Sequence, residues 1–202
     1  MKHFTIDSQT FNDLDIFSEK CGSTSIFNLF KHTRTLAARD RLMEIMQNPS
    51  SDFEEITLRR DAIKYLHDNR ISLEIKNEEV DLIEFYLQST FKEFKNNPID
   101  AVADYITRKS GNDYYVIKAG LRYLIQLTKY IIGFIKEHNS NQPPKYLALI
   151  FEQIKNIVDE GVLLKAIRLN EKNLKFLDVS RLDRALRGAE KKKRKNTLTT
   201  GL

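Results

Sequence analysis

The chain has 202 residues, of which 30% are charged and 41% hydrophobic, proportions that fit neither a disordered chain nor a membrane protein. Its single cysteine, Cys21, excludes an intramolecular disulfide and fits a reducing compartment. No stretch resembles a signal peptide, and the most apolar segment, 130–135, is far shorter than the roughly 20 residues of a membrane span. We therefore expect a cytoplasmic globular protein.

The net charge of +5 is concentrated near the C-terminus. Residues 180–202 hold eight lysines and arginines against two acidic residues, which gives this segment +6 and the rest of the chain −1. The basic residues are Arg181, Arg184, Arg187, Lys191, Lys192, Lys193, Arg194 and Lys195.

The first 70 residues are predicted to form short helices, because turn residues recur between apolar segments. Asp7 is predicted to cap a helix through Phe17 that buries Phe11, Leu14 and Ile16, and a second helix is expected at 25–30. Thr35 is predicted to cap a third helix, which ends at Asn48 and Pro49.

A fourth helix is expected after Asp52, which forms an acidic capping box with Glu55. Phe53, Ile56, Ile63 and Leu66 follow at helical spacing, and Ile56 is predicted to belong to the core of this N-terminal cluster.

Residues 71–75 alternate between apolar and polar, which leaves open an edge strand, a linking segment or part of a helix. Two helices are predicted next, at 77–95 and 98–109. The longest apolar pattern runs from Asp113 to about His138, with spacings of 4, 3, 4, 3 and 4 typical of a helical a/d seam. The seam residues are Ile117, Leu121, Leu124, Thr128, Ile131 and Ile135.

A polar turn with two prolines separates this seam from a second one that continues to Val158, so a long antiparallel helical hairpin is predicted. Gly161 should end the second arm, and a shorter helix should follow to about Leu169. A last helix, capped within 178–180, is expected to end near Leu186.

Together these elements predict an all-α protein, an elongated helical bundle with a long antiparallel hairpin. We divide it into an N-terminal helical cluster (1–70), a long-helix part of the same domain (71–179) and a basic segment (180–202) that is frayed or truncated.

No motif for catalysis or cofactor binding is visible. No two of the seven glycines have the spacing of a phosphate-binding loop, and the four histidines lie too far apart for a paired metal site. Cys21 is interpreted as structural, and the carboxylates near predicted helix N-termini as capping or solvated groups. We expect neither enzymatic activity nor a cofactor or metal in this chain.

Residues 6–63 carry a more specific pattern. It consists of Ile6-Asp7-x-x-Thr10-x-x-x-Leu14-x-Ile16, Ser25-Ile26-x-x-Leu29-Phe30-x-x-Thr33-x-Thr35, Leu42, Pro49-x-x-Asp52 and Ile56-x-x-Arg59. In order and spacing this pattern resembles the start of the core (lever) domain of DNA mismatch repair MutS proteins. Ala38 stands where the family has a glycine, and Asp40 where it has an arginine.

The resemblance implies a MutS-like core that lacks the N-terminal mismatch-binding domain. Such a domain would couple DNA contact mechanically to an ATPase domain that this chain does not contain. Its implied partners are duplex DNA, contacted through the backbone, that ATPase domain, and a second subunit in the full-length protein. ATP and Mg²⁺ would belong to the longer parent protein.

The basic segment supports an alternative from another class, a stand-alone helical nucleic-acid-binding module. Arg181, Arg184 and Arg187 stand three apart on one predicted helix, and Lys191 to Lys195 continue the basic edge. Such an edge can contact phosphates. The competing interpretation is a truncated helix that frays into a solvated run of charge.

Overall fold

The computed structural model describes residues 7–17, 24–30, 32–91, 94, 107, 111–139, 141–159 and 161–199, with backbone alone from residue 190 onward. The described residues are mostly helical, with no strand among them, which confirms the all-α prediction. The helices are α1 (Ser8–Asp13), α2 (Ile26–Phe30), α3 (Leu36–Gln47), α4 (Phe53–Asp68), α5 (Asn77–Gln88), α6 (Asn112–Asn139), α7 (Lys145–Asp159), α8 (Val162–Ala166) and α9 (Phe176–Thr199), with a 3₁₀ turn at Glu171–Asn173.

The chain divides into two compact units. The first comprises Met1–Asn77 with Pro143–Ala148, and the second comprises Glu78–Gln142 with Leu149–Leu202. The first boundary falls a few residues after the one placed at residue 70, and the basic segment belongs to the second unit. None of the helices in the described ranges is both long and apolar enough to cross a bilayer.

Local capping defines three helix starts in the first unit. The Asp7 carboxylate accepts from the Thr10 amide, Thr35 Oγ1 accepts from the Ala38 amide, and the Asp52 carboxylate accepts from the Glu54 and Glu55 amides. These bonds satisfy amides that have no partner inside the helix. The three predicted caps are confirmed.

The capping box at Asp52 forms only in part. The Glu55 carboxylate accepts from Ser50 Oγ at 2.6 Å and from Arg59 Nη2 at 2.7 Å, while the Asp52 amide donates to Ser50 Oγ at 3.2 Å. Ser50 therefore takes the position that Glu55 was predicted to fill.

The first helix is shorter than predicted. Helix α1 ends at Asp13, because Asp15 adopts a left-handed backbone with φ 50° that a helix cannot contain. Leu14 is exposed and not buried as expected. The core here is aromatic instead, with the Phe17 ring 5.5 Å from Phe11 and 5.8 Å from the buried Phe27.

The apolar residues of α4 do not join a core. Phe53, Ile56 and Ile63 are 81%, 47% and 63% exposed, so the prediction that Ile56 belongs to the core of the N-terminal cluster is wrong. Ala62 is the buried residue of this helix. Helical periodicity shows which residues share a face, but it does not show whether that face is covered.

Helix α6 provides the centre of the second unit. Ile117, Leu121 and Ile125 are fully buried and pack with residues from α5, α8 and α9. The predicted 25-residue helix is thus confirmed at 28 residues, although Leu124 and Ile131 of the seam are only half-buried and Ile125 takes a central place. The Phe134 ring of α6 lies 6.2 Å from the Phe151 ring of α7.

Three other boundaries differ from those expected. Helix α5 ends at Gln88 and not at Lys95, yet Phe94 beyond it is buried and lies 5.5 Å from the Phe176 ring. Helix α9 begins at Phe176, so the cap predicted within 178–180 is wrong, and Asp178 lies in the first turn, where its carboxylate accepts from the Lys175 amide. The helix continues to Thr199, well past Leu186. Residues 71–75 have no regular structure, and the helix predicted at 98–109 lies outside the described residues, apart from Thr107.

Gly161 ends the second arm of the predicted hairpin as expected. Its φ of +103° lies in a region that residues with a Cβ rarely adopt, so the chain can turn there between α7 and α8.

Candidate nucleic-acid interface

Helix α9 carries all the predicted nucleic-acid-binding residues, and it does not present them equally. The three arginines stand three residues apart, so successive side chains are about 60° apart around the helix axis. Arg181 is exposed, Arg184 is half-buried, and the Arg187 side chain is 15% exposed. The helical backbone continues through Lys191, Lys192, Lys193, Arg194 and Lys195, whose side chains lie outside the described residues.

Arg187 is held inside the second unit by a charged network. Its Nε donates to Asp183 Oδ1 at 2.9 Å, its Nη1 donates to the Ser89 carbonyl at 2.9 Å, and its guanidinium carbon lies 5.6 Å from the Tyr86 ring centroid. The structure therefore does not bring Arg187 to the surface edge that was expected to include it.

Asp183 is the centre of this network and is completely buried. The Tyr86 hydroxyl donates to its Oδ1 at 2.9 Å, on the same oxygen that accepts from Arg187. Its Oδ2 has no hydrogen-bonding partner among the described residues, and neither does Nη2 of Arg187. A buried carboxylate needs a counter-charge, so Arg187 is required by the core of this unit.

Sequence spacing carries a signal that could have predicted this network. Asp183 and Arg187 are four residues apart, the spacing of an intrahelical ion pair. Asp183 also shares one face of α9 with three apolar residues, Val179, Leu182 and Leu186. A carboxylate on an apolar face is unusual enough to predict a buried pair.

A second ion pair connects α6 to the chain after α8. Lys129 Nζ donates to Glu171 Oε2 at 2.6 Å and to the Leu169 carbonyl at 2.8 Å. The hydrogen bond from Lys129 holds the pKa of Glu171 below its ordinary value. Sequence spacing could not reveal this pair, since its members are forty-two residues apart.

The histidines are placed singly. His32 and His67 are exposed, His67 Nδ1 lies 3.2 Å from the Asp68 carboxylate, and the His138 ring lies 4.4 Å from that of Phe134. His3 and Cys21 are outside the described residues. In the part of the chain that is described, no three His, Cys, Asp or Glu side chains lie close enough to hold a metal ion.

Among the predicted residues whose side chains are described, Arg181 is therefore the accessible candidate, and Arg184 is half-buried. They lie on an all-α scaffold whose core fixes the start of α9. No protein-family model matches this sequence, and no curated protein or solved structure matches it.

Proposed function

We propose that this chain is the cytoplasmic helical core of a MutS-like DNA mismatch repair or recombination protein. In this role it couples contact with duplex DNA to an ATPase domain encoded outside these residues. The observation that carries the proposal is the spaced pattern from Ile6 to Arg59. Two of its polar positions, Thr35 and Asp52, have a physical role that explains their spacing, because each caps the helix that follows it.

The long helix at the centre of the second unit supports a mechanical role. Helix α6 spans about 42 Å at 1.5 Å per residue, and its centre is fully buried. The buried network of Asp183 and Arg187 joins α9 to the end of α5. A force applied to the basic end of α9 would therefore reach the core through one continuous helix.

The proposal has a direct genetic test. The coding sequence downstream of Leu202 should specify a strand followed by a phosphate-binding loop within a few hundred codons. A stop codon with no such loop encoded beside it would contradict a MutS-like parent and favour a stand-alone nucleic-acid-binding helical module.

Duplex DNA binding by the chain tests the role of the basic run. Binding through several lysines should be independent of sequence and should weaken steeply with salt, with a log–log slope of roughly −0.9 per phosphate contact. Changing Lys191, Lys192, Lys193, Arg194 and Lys195 to glutamine should flatten the slope and remove most binding at low salt. Fluorescence anisotropy with a labelled duplex measures both the affinity at low salt and its dependence on salt concentration.

The matched control changes lysines elsewhere in the chain. Lys118, Lys155, Lys165, Lys172 and Lys175, also replaced by glutamine, lower the net charge by the same amount away from the basic run. This variant should keep the steep salt dependence. Equal loss in both variants would mean that net charge alone causes the binding, and no binding by the parent chain would contradict a DNA contact through α9.

A further inference from the structure

Helix α4 carries an apolar and cationic surface that is open to solvent. Phe53, Ile56, Arg60 and Ile63 follow one another at spacings of 3, 4 and 3, and together with Lys64 they lie within an arc of about 100° on the helix. We name these five residues the α4 face. Arg60 is 66% exposed on its side chain and pairs with the exposed Asp61 carboxylate at 2.8 Å, a surface contact that a stronger partner can replace. An open groove of about 480 Å³ passes between Ile56, Ile63, Lys64 and the residues beside them.

Helix α5 carries a surface of opposite charge with the same spacing. Glu78, Asp81, Phe85 and Gln88 are all exposed and lie within an arc of about 80°. We name these four residues the α5 face. Phe85 is 55% exposed, and an open groove of about 390 Å³ lies beside it, lined by Phe85, Gln88, Ser89, Thr90 and Phe91.

We propose that the α4 face of one copy of this chain binds the α5 face of a second copy as a short antiparallel helix pair. Spacings of 3, 4 and 3 place residues along one seam, as in coiled coils. In antiparallel register Ile56 lies opposite Phe85 and Arg60 lies opposite Asp81. A parallel register would place Ile56 opposite Asp81 and Arg60 opposite Phe85, so the chemistry selects the antiparallel arrangement.

The two grooves accept the aromatic side chains of this register. Phe53 is 81% exposed, more than any other large apolar residue that the structure describes, and in this register it lies opposite Gln88 and beside the groove between Phe85 and Phe91. Phe85 in turn lies opposite Ile56, at the groove of the α4 face. Ile63 lies opposite Glu78 in this register, and Lys64 is the next residue of α4. Lys64 and Glu78 therefore form a second pair of opposite charges at that end of the contact. Each copy carries an α4 face and an α5 face, so a second copy can supply the partner of either one.

Self-association of the full chain provides the first measurement. Sedimentation velocity should show the weight-average mass rising as the concentration increases from low to high micromolar, because a contact of three helical turns is small for a stable interface. A monomer at every concentration overturns the proposal. This inference does not rest on a MutS-like function.

Charge reversal separates the contact from a folding defect. Arg60→Glu and Asp81→Arg should each weaken self-association by about tenfold or more, because like charges then face each other. A mixture of the two variants should associate again, since each contact between unlike copies pairs an acidic with a basic residue. Two variants that stay monomeric when mixed, although each keeps the parent's melting temperature, contradict the register.

The control reverses one acidic and one basic charge on α7, where Glu152 and Lys155 are exposed. Glu152→Arg and Lys155→Glu should leave self-association unchanged, and an equal loss in these variants contradicts the assignment to α4 and α5.

Ile56→Ser should weaken association about tenfold with little change in melting temperature, since Ile56 is 47% exposed in the single chain. Association that persists in Ile56→Ser also contradicts the proposed seam.

Discussion

Asp183 shows how one buried charge determines the role of its neighbours. An exposed arginine costs little to remove, whereas an arginine that neutralises a buried carboxylate is needed by the fold. Arg181 and Arg187 lie six residues apart on α9 and belong to these two classes.

Arg187→Ala should lower the free energy of unfolding by about 3–5 kcal/mol, because it leaves the Asp183 carboxylate buried without a counter-charge. Urea denaturation followed by circular dichroism measures the loss. Arg181→Ala on the same helix is the control and should change stability by less than about 0.5 kcal/mol. Similar values for the two variants would show that Asp183 does not depend on Arg187.

Gly120 marks a close approach of α6 to α5. A Cβ at this position would lie 2.5 Å from the Cβ of Tyr86 and 2.6 Å from its Cγ, which is closer than carbon atoms can pack. Gly133 lies on the same helix, and a Cβ there would have no neighbouring atom of the described residues within 4 Å.

Gly120→Ala should therefore destabilise the protein by about 1–3 kcal/mol through overpacking. Gly133→Ala should stabilise it by about 0.5–1 kcal/mol, because alanine loses less backbone freedom in a helix. Thermal unfolding of both variants tests the pair, and a stabilising Gly120→Ala would mean that α5 is not held against α6 at Tyr86.

Among the elements, those fixed by local chemistry were predictable from sequence. The caps at Asp7, Thr35 and Asp52 were placed correctly, because a capping side chain bonds an amide within three residues of itself. The end of α5 was not, since Phe91 and Phe94 keep helical spacing while the chain beyond Gln88 has already left the helix. Burial in that stretch depends on partners such as Phe176, which sequence spacing does not reveal.

The candidate interface was predictable only in part for the same reason. The charge run and its helix follow from local pattern, but the burial of Arg187 depends on Tyr86 and Ser89, which lie nearly a hundred residues earlier. A seam pattern likewise places Ile117 and Ile131 on one face, yet Ile117 is fully buried and Ile131 is half-buried.

The pair of Lys129 and Glu171 makes stability depend on pH. The pKa of Glu171 is below its ordinary value of 4.5 in the folded protein, so the unfolded chain binds the proton first as the pH falls. The stabilisation is therefore complete above pH 4.5 and is lost as the pH falls through the lowered pKa.

Glu171→Gln should reduce stability at neutral pH and make the remaining stability fall less steeply below pH 4.5. Lys129→Met should give the same change, and the double variant should lose no more than either single variant. Urea denaturation at a series of pH values provides the measurement. Additive losses would show that the two residues act separately.

For the whole molecule, the sequence pattern predicts no response to nucleotide. A ligand raises the melting temperature only by binding the folded state, and no glycine spacing of a phosphate-binding loop occurs in the chain. We expect millimolar Mg-ATP to leave the thermal midpoint unchanged. A rise that scales with nucleotide concentration would contradict this expectation, and Mg²⁺ alone serves as the control.

The hydrogen bond between Tyr86 and Asp183 has a consequence for synthesis on the ribosome. Its two residues are ninety-seven positions apart, and at about 5–20 residues per second roughly 5–20 s separate their translation. In the later part of that interval, after Asn139, the apolar side of α6 has been made while most of α9, which covers it, has not. We therefore expect the apolar side of α6 to be prone to aggregation on the nascent chain until α9 emerges.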